Sequence, residues 1–233
     1  MIVNKKEFTI GLILTVIFAA IFAYMWTPSF NGKNAFEASD DIFNSMSKGS
    51  CYQLTGLMEQ AEGKAGTPLN ASFKLDDAAM ADKAAVLYQK AGADVVVNGN
   101  EVIVKGDLGA ITVAAITDSD EMYYNNNDKV TQKYGYDAKE AMYYWWLSFD
   151  KMNKSLQNSS DFATASFVTN VKMKAVELGY NFNGIEGQSA KDNMGLLSFL
   201  LIFYVIYTII WGCAILFLFE GFGVMMVGHA KKA

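Results

Sequence analysis

Residues 8–26 read FTIGLILTVIFAAIFAYMW, nineteen residues without a charge, close to the ~20 that an α-helix needs to cross the hydrocarbon core of a bilayer. The uncharged stretch continues to Gly32, and a second one runs from Asn193 to Phe219. A cleaved signal peptide has a shorter apolar core, about 7–15 residues, followed by a small-x-small cleavage site. The first run has neither feature, so residues 8–26 and 193–219 are expected to be retained transmembrane helices.

Two crossings put both ends on one side of the membrane. Lys5 and Lys6 precede the first run, and Lys231 and Lys232 follow the second; by the positive-inside rule that side is the cytoplasm. The expected protein is therefore integral to the plasma (inner) membrane. Residues 1–7 and 220–233 are cytoplasmic, and 27–192 form an extracytoplasmic region.

Composition narrows the function classes. The chain is 52% hydrophobic and 18% charged, with 2 Pro and a mean hydropathy of +0.14, which argues against intrinsic disorder. With four lysines in the tails and Glu7 and Glu220 outside it, the region 27–192 holds 15 Lys against 22 acidic residues, a net charge of −7. That balance opposes nucleic acid and anionic lipid as partners. All 19 basic residues are Lys, so no guanidinium fork is available for phosphate or carboxylate. Cys51 and Cys213 are expected at different depths and form no disulfide framework or Cys-x-x-Cys motif. The single histidine, His229, follows the second span, leaving the outer region without an imidazole for acid–base or zinc chemistry. No catalytic residue, metal site or cofactor is expected.

Between the spans the chain alternates short elements. Ala35–Lys48 carries Phe36, Phe43 and Met46 at helical spacing, with Gly49 read as its stop, inside a membrane-proximal helical segment spanning 27–68. Leu69, Ala71, Phe73 and Leu75 alternate with polar residues as in a half-buried strand. Asp77 caps a helix over 78–91 that Gly92 ends, and Asn98-Gly99 joins two β-branched runs, 94–98 and 101–105, as a hairpin. Asp107 opens a further helix. Residues 69–128 thus read as a β-α-β-β-α unit whose helices cover one face of a small antiparallel sheet. Residues 129–192 read as a helical hairpin returning to the membrane: a capping box Asp137-x-x-Glu140 starts a helix to about Gln157 with Met142, Trp145, Phe149, Met152 and Leu156 on one stripe, and a second helix ends at Gly179. The fold class is α+β, two transmembrane helices flanking an extracytoplasmic domain.

Few motifs carry chemistry. Acid pairs at Asp40-Asp41, Asp76-Asp77 and Asp118-x-Asp120-Glu121 fall where helix starts and solvated faces place acids. Gly106-Asp-Leu-Gly109 opens a helix after a strand, the setting of a phosphate loop, but a turn with an Asp cap accounts for it. In Met142-Tyr-Tyr-Trp-Trp146 the core face takes Met142 and Trp145, so Tyr143, Tyr144 and Trp146 become a candidate contact surface. Gly11, Thr15, Ala19 and Ala23 form a small-residue ridge on the first span, and Thr208 and Gly212 repeat the style on the second, as in close helix packing. Glu220 at the cytoplasmic edge is expected to pair with Lys5 or Lys6 rather than relay protons.

The sequence names no reaction. Its expected role is a non-catalytic membrane-anchored structural or interaction protein, a homo-oligomer whose partners are the lipid bilayer and other copies of itself. An extracytoplasmic sensor-type ligand-binding domain and an accessory subunit of a respiratory or transport complex are the alternatives, the latter with unidentified membrane-complex subunits as partners.

Overall fold

The computed structural model describes residues 2–224. It is a mixed α+β molecule, 69% helical, with one three-stranded sheet. In chain order the elements are α1 (Lys5–Met25), α2 (Ala35–Ser50), α3 (Leu54–Glu62), β1 (Pro68–Lys74), α4 (Ala78–Lys90), β2 (Asp94–Asn98) and β3 (Glu101–Asp107). They continue with α5 (Leu108–Tyr123), α6 (Asn127–Tyr134), α7 (Ala138–Asn158), α8 (Phe162–Val171), a π-helical turn (Lys172–Val176), α9 (Glu177–Phe182) and α10 (Met194–Gly221). The chain divides into two units, Met1–Ser50 with Gly187–Ala233, and Cys51–Glu186. His229, Lys231 and Lys232 lie outside the described residues.

In the first unit α1 and α10 are both long and apolar enough to cross a membrane, and they pack on each other as an antiparallel hairpin. The amides of Val3 and Asn4 donate to the Gly221 carbonyl, 2.8 and 3.0 Å, so the start of α1 closes the end of α10. Two glycines set the approach. A Cβ on Gly11 would sit 2.7 Å from the Leu218 amide nitrogen, and one on Gly221 would sit 2.6 Å from the Phe8 Cβ. The covered positions include a seam through Gly11, Leu14, Phe18, Ile21 and Met25 on α1 and through Leu200, Phe203, Tyr207, Ile210, Ala214, Phe217 and Gly221 on α10, while Phe8, Ile10 and Thr15 on α1 and Cys213, Ile215, Leu216 and Leu218 on α10 are half-covered beside it. Both seam sets advance by alternating three and four residues, the 3.5-residue repeat of a coiled-coil seam.

The second unit holds a conventional core. Strand order is β1-β3-β2, all antiparallel, and Leu69, Ala71, Phe73, Val102 and Val104 face inward while Val96 is exposed. Helices α4 and α7 pack on the sheet. The stripe expected on α7 is all inside, with Trp145 fully buried and edge-on to Tyr88 at 5.1 Å. Asp77 and Asp107 accept from the amides of Met80 and Ala110, both 2.8 Å, and so cap α4 and α5 as the sequence indicates. The hairpin loop is Gly99-Asn100, with Asn98 paired to Glu101 and positive φ at Gly99 alone, +62°.

Four differences from the sequence reading have physical causes. Helix α3 belongs with Cys51–Glu186 rather than with the membrane-proximal stretch, because Leu54, Leu57 and Ala61 enter the core of that unit. The polar run at 125–128 leads directly into α6, held by Val130 and Tyr134 one turn apart. Helix α2 passes Gly49 and α9 passes Gly179. Neither glycine is a stop: Cβ atoms there would lie 2.3 Å from the Gln188 carbonyl oxygen and 2.7 Å from that of Ser119.

Candidate functional site

The strongest concentration of chemistry in Cys51–Glu186 is a polar network where α5, α6 and α7 meet. Asp118 projects from α5 and is only 2% exposed. It accepts from Lys133 Nζ at 2.7 Å, from Trp145 Nε1 at 2.9 Å, and from the Tyr134 hydroxyl. A buried carboxylate is costly unless its lone pairs are filled, and three donors from two other helices fill them. Burial, then the charge of Asp118, raises the Tyr134 hydroxyl well above its ordinary value.

Beside it Lys83 of α4 donates to Glu140 at 2.5 Å, the Tyr144 hydroxyl donates to the same carboxylate at 2.9 Å, and the Tyr136 hydroxyl donates to the Lys83 carbonyl at 2.9 Å. The hydrogen bond from Lys83 holds Glu140 below the usual carboxylate range, while burial, followed by Glu140, pushes Tyr144 up to about 12. Glu140 therefore does not complete the expected capping box. Asp137 accepts from the Glu140 amide, 3.0 Å, but the Glu140 side chain turns to α4. What this arrangement does chemically is tie four helices together through charge-assisted bonds.

The aromatic segment separates accordingly. Tyr144 is buried, Tyr143 is 39% exposed, and Trp146 is half-buried, its Nε1 donating to Glu177 at 2.8 Å with Lys172 Nζ 5.1 Å from its ring centroid. Of the three candidate contact residues only Tyr143 is exposed, its ring stacked along Trp146.

Most of the expected acids are engaged by neighbours. Asp41 meets Lys33, Asp40 accepts from Asn44, and Glu121 accepts from Lys129 at 2.8 Å. Asp120 accepts from the Tyr52 hydroxyl at 2.8 Å, on the wall of a shallow groove of about 330 Å³ that Met58, Glu59 and Glu62 also line. Burial, then Asp120, pushes Tyr52 up to about 12. Among the described residues no group of three His, Cys, Asp or Glu side chains is placed to hold a metal ion. At the glycine pair before α5, the Asp107 carboxylate occupies the helix start and also accepts from the Gly66 amide, while a Cβ on Gly109 would lie 2.6 Å from the Ala65 nitrogen. The site of a would-be phosphate is filled by the chain itself.

In the hairpin the small-residue ridge does not stay in the seam. Gly11 is buried and Thr15 half-buried, but Ala19 and Ala23 are exposed, as are Thr208 and Gly212. A four-residue step turns about 400°, so by Ala23 the ridge has drifted roughly 120° from Gly11. Bulky groups occupy the seam instead: the Phe18 ring stacks on Tyr207 at 4.3 Å and on Trp211 at 4.6 Å. The hydroxyls of Thr15 and Thr208 donate to the carbonyls of Gly11 and Tyr204, 2.8 and 2.9 Å. The Tyr207 hydroxyl is enclosed and has no hydrogen-bond partner among the described residues. Glu220 is half-buried, and none of the ion pairs among the described residues joins it to Lys5 or Lys6. Comparison with protein-family models, curated proteins and solved structures returns no match for this chain.

Proposed function

We propose that the chain is a non-catalytic, membrane-anchored structural or interaction protein that crosses the plasma (inner) membrane twice, holds the α+β unit on the extracytoplasmic side, and works as an assembly of several copies. The observation that carries this reading is the hairpin: two long apolar helices cover each other along one narrow seam and leave apolar faces on every other side. Lys5 and Lys6 at the start of α1 support a cytoplasmic placement of that end. In the other unit, the ionisable side chains Asp118, Glu140 and Tyr134 are engaged in the packing of α4–α7, which favours a rigid module over a reaction centre. Identical chains anchored in parallel share an axis along the membrane normal, so closed cyclic symmetry is expected.

The ridge left outside the seam gives the test. With Gly11 engaged by the chain's own α10, Ala19 and Ala23 are the positions free for a second copy, since small side chains let helices approach closely in lipid. Detergent-corrected light scattering should report a multimer for the wild type and a smaller species for Ala19→Leu with Ala23→Leu. A wild type that is monomeric in several mild detergents and in nanodiscs would defeat the assembly. A stoichiometric foreign chain that co-purifies would favour the accessory-subunit role instead.

A further inference from the structure

Helix α2 has a wider apolar arc than the protein covers. On a helical wheel Ala38, Ile42, Met46, Phe43 and Phe36 occupy one side, and Glu37, Asp41 and Asn44 the other. Met46 is buried and Ile42 half-buried, yet Phe36 and Phe43 remain 43% and 51% exposed. They stand seven residues apart, hence within about 20° of each other on the helix. Two phenylalanines at the open edge of an otherwise covered arc need something apolar beside them.

The surroundings within the same unit say what that is. A row of rings leads from the end of α1 onto α2: Phe22 meets Trp26 at 6.2 Å, and Trp26 meets Phe36 at 5.1 Å, with Tyr24 and Phe30 in contact at 6.1 Å. Helix α10 is seven residues longer than α1 and starts flush with it at the Gly221 end. Its first two turns therefore run about 10 Å beyond Met25, and Leu196 and Phe199 are exposed there. Helix α2 is held at this same end, because the Gln188 amide, six residues before α10, donates to the Ser45 carbonyl at 2.9 Å. Tryptophan and tyrosine concentrate at the boundary between headgroups and acyl chains, and an amphipathic helix with aromatic edge residues lies in that boundary.

We propose that α2 is an interfacial helix, seated in the headgroup region of the leaflet at the C-terminal end of α1, with Phe36 and Phe43 inserted towards the acyl chains. The proposal rests on the reading of α1 and α10 as membrane spans. Its ligand is zwitterionic lipid: with Glu37, Asp40 and Asp41 against Lys33 and Lys48, the segment offers anionic headgroups no attraction.

The test uses the full chain, with Cys51→Ser and Cys213→Ser, in phosphatidylcholine vesicles. Nitroxide labels are placed singly at Phe43→Cys on the apolar edge, Asn44→Cys on the polar arc and Ile17→Cys on the exposed side of α1. Collision rates with oxygen and with a water-soluble nickel chelate are then read. The oxygen-to-nickel ratio should be several-fold higher at 43 than at 44, and highest at 17. A label at 43 as open to nickel as that at 44, with 17 still shielded, overturns the interfacial helix and leaves the spans standing. Nickel access at 17 removes the spans and the proposal together. Low access to both reagents at 43, with dipolar broadening, means that a second copy covers α2 and also overturns the lipid assignment. If Phe43→Cys does not fold, Phe36→Cys carries the same reading.

Discussion

The two units of this chain use apolar residues in opposite ways. In Cys51–Glu186, Trp145, Phe149, Leu87 and Ile111 disappear into one core, and every buried side-chain nitrogen or oxygen has a partner. In the hairpin, only Gly11, Ala214 and Gly221 are buried on two helices of 21 and 28 residues, and the Tyr207 hydroxyl is enclosed without a partner among the described residues. An apolar composition therefore means a core in one unit and an apolar surface in the other. The hairpin is held by close backbone approach along one seam, which on the proposed membrane reading is what remains to hold helices together when the solvent is itself hydrocarbon. The other unit gains from water exclusion and can accommodate a carboxylate only by filling its lone pairs.

The contrast breaks most visibly at the glycines of the seam. Gly221→Leu puts a side chain where the backbone and Cβ of Phe8 already stand, at 2.6–2.8 Å, and no rotamer relieves an overlap with main chain. A cost above about 3 kcal/mol is expected, and the paired arrangement of α1 and α10 should be lost. Gly212→Leu, with nothing within 4 Å of the new Cβ, should leave it intact. Pulsed electron resonance between labels at Ile17→Cys and Ile209→Cys checks both: a broad distance distribution for the first variant, a narrow one for the second.

The polar side of the comparison follows. Asp118→Ala strands the Tyr134 hydroxyl and the Trp145 indole in the core and frees Lys133, for an expected loss of about 3 kcal/mol. Tyr207→Phe removes a hydroxyl that has no partner among the described residues, so its effect should stay within roughly 0.5 kcal/mol or be slightly stabilising. Urea midpoints in mild detergent measure both. The wild type also has an alkaline limit set by these networks. Tyr52 and Tyr144, pushed up to about 12, and Tyr134, raised by burial, hold their protons more tightly folded than unfolded. Their contribution is complete below the unfolded value near ~10 and is lost as pH rises through the folded values. A circular-dichroism titration of the full chain should show that loss, and no loss from tyrosine ionisation below pH ~10.

Much of this architecture was legible before the structure, because period and caps are local properties. The long apolar runs, the alternation at Leu69–Leu75, the caps Asp77 and Asp107 and the stripe from Met142 to Leu156 all depend on neighbours a few residues away. What escaped depends on distant parts of the chain. Asp118 reads as one acid in a solvated cluster until α6 delivers Lys133 and Tyr134, and α6 itself shows only Val130 and Tyr134 as a signal. The four-residue ridge at Gly11–Ala23 promises one continuous packing face, but two packed helices follow a 3.5-residue seam, which a four-residue ridge leaves within two turns. The candidate contact surface at Tyr143, Tyr144 and Trp146 shrinks for the same reason, since Glu140 and Glu177 draw two of the three rings inward.

Glycine gives the finest form of this lesson. Gly92 and Gly179 look alike in sequence, each following an apolar helical pattern. Gly92 ends α4 with φ +84° and open space around it; Gly179 lies inside α9 with helical backbone, against the main chain of Ser119. One glycine is needed for its backbone angle and the other for its missing side chain, so their replacements should respond differently. Gly92→Ala should cost about 1 kcal/mol, the strain of a left-handed residue, and Gly92→Asn should recover part of it, because asparagine tolerates that region. Gly179→Ala should cost about 1–3 kcal/mol by pushing α9 off α5, and Gly179→Asn should be worse still, since a larger side chain meets the same wall. Midpoints for the four variants that reverse this order, with asparagine relieving position 179 and aggravating position 92, would show that the two glycines have been assigned the wrong roles.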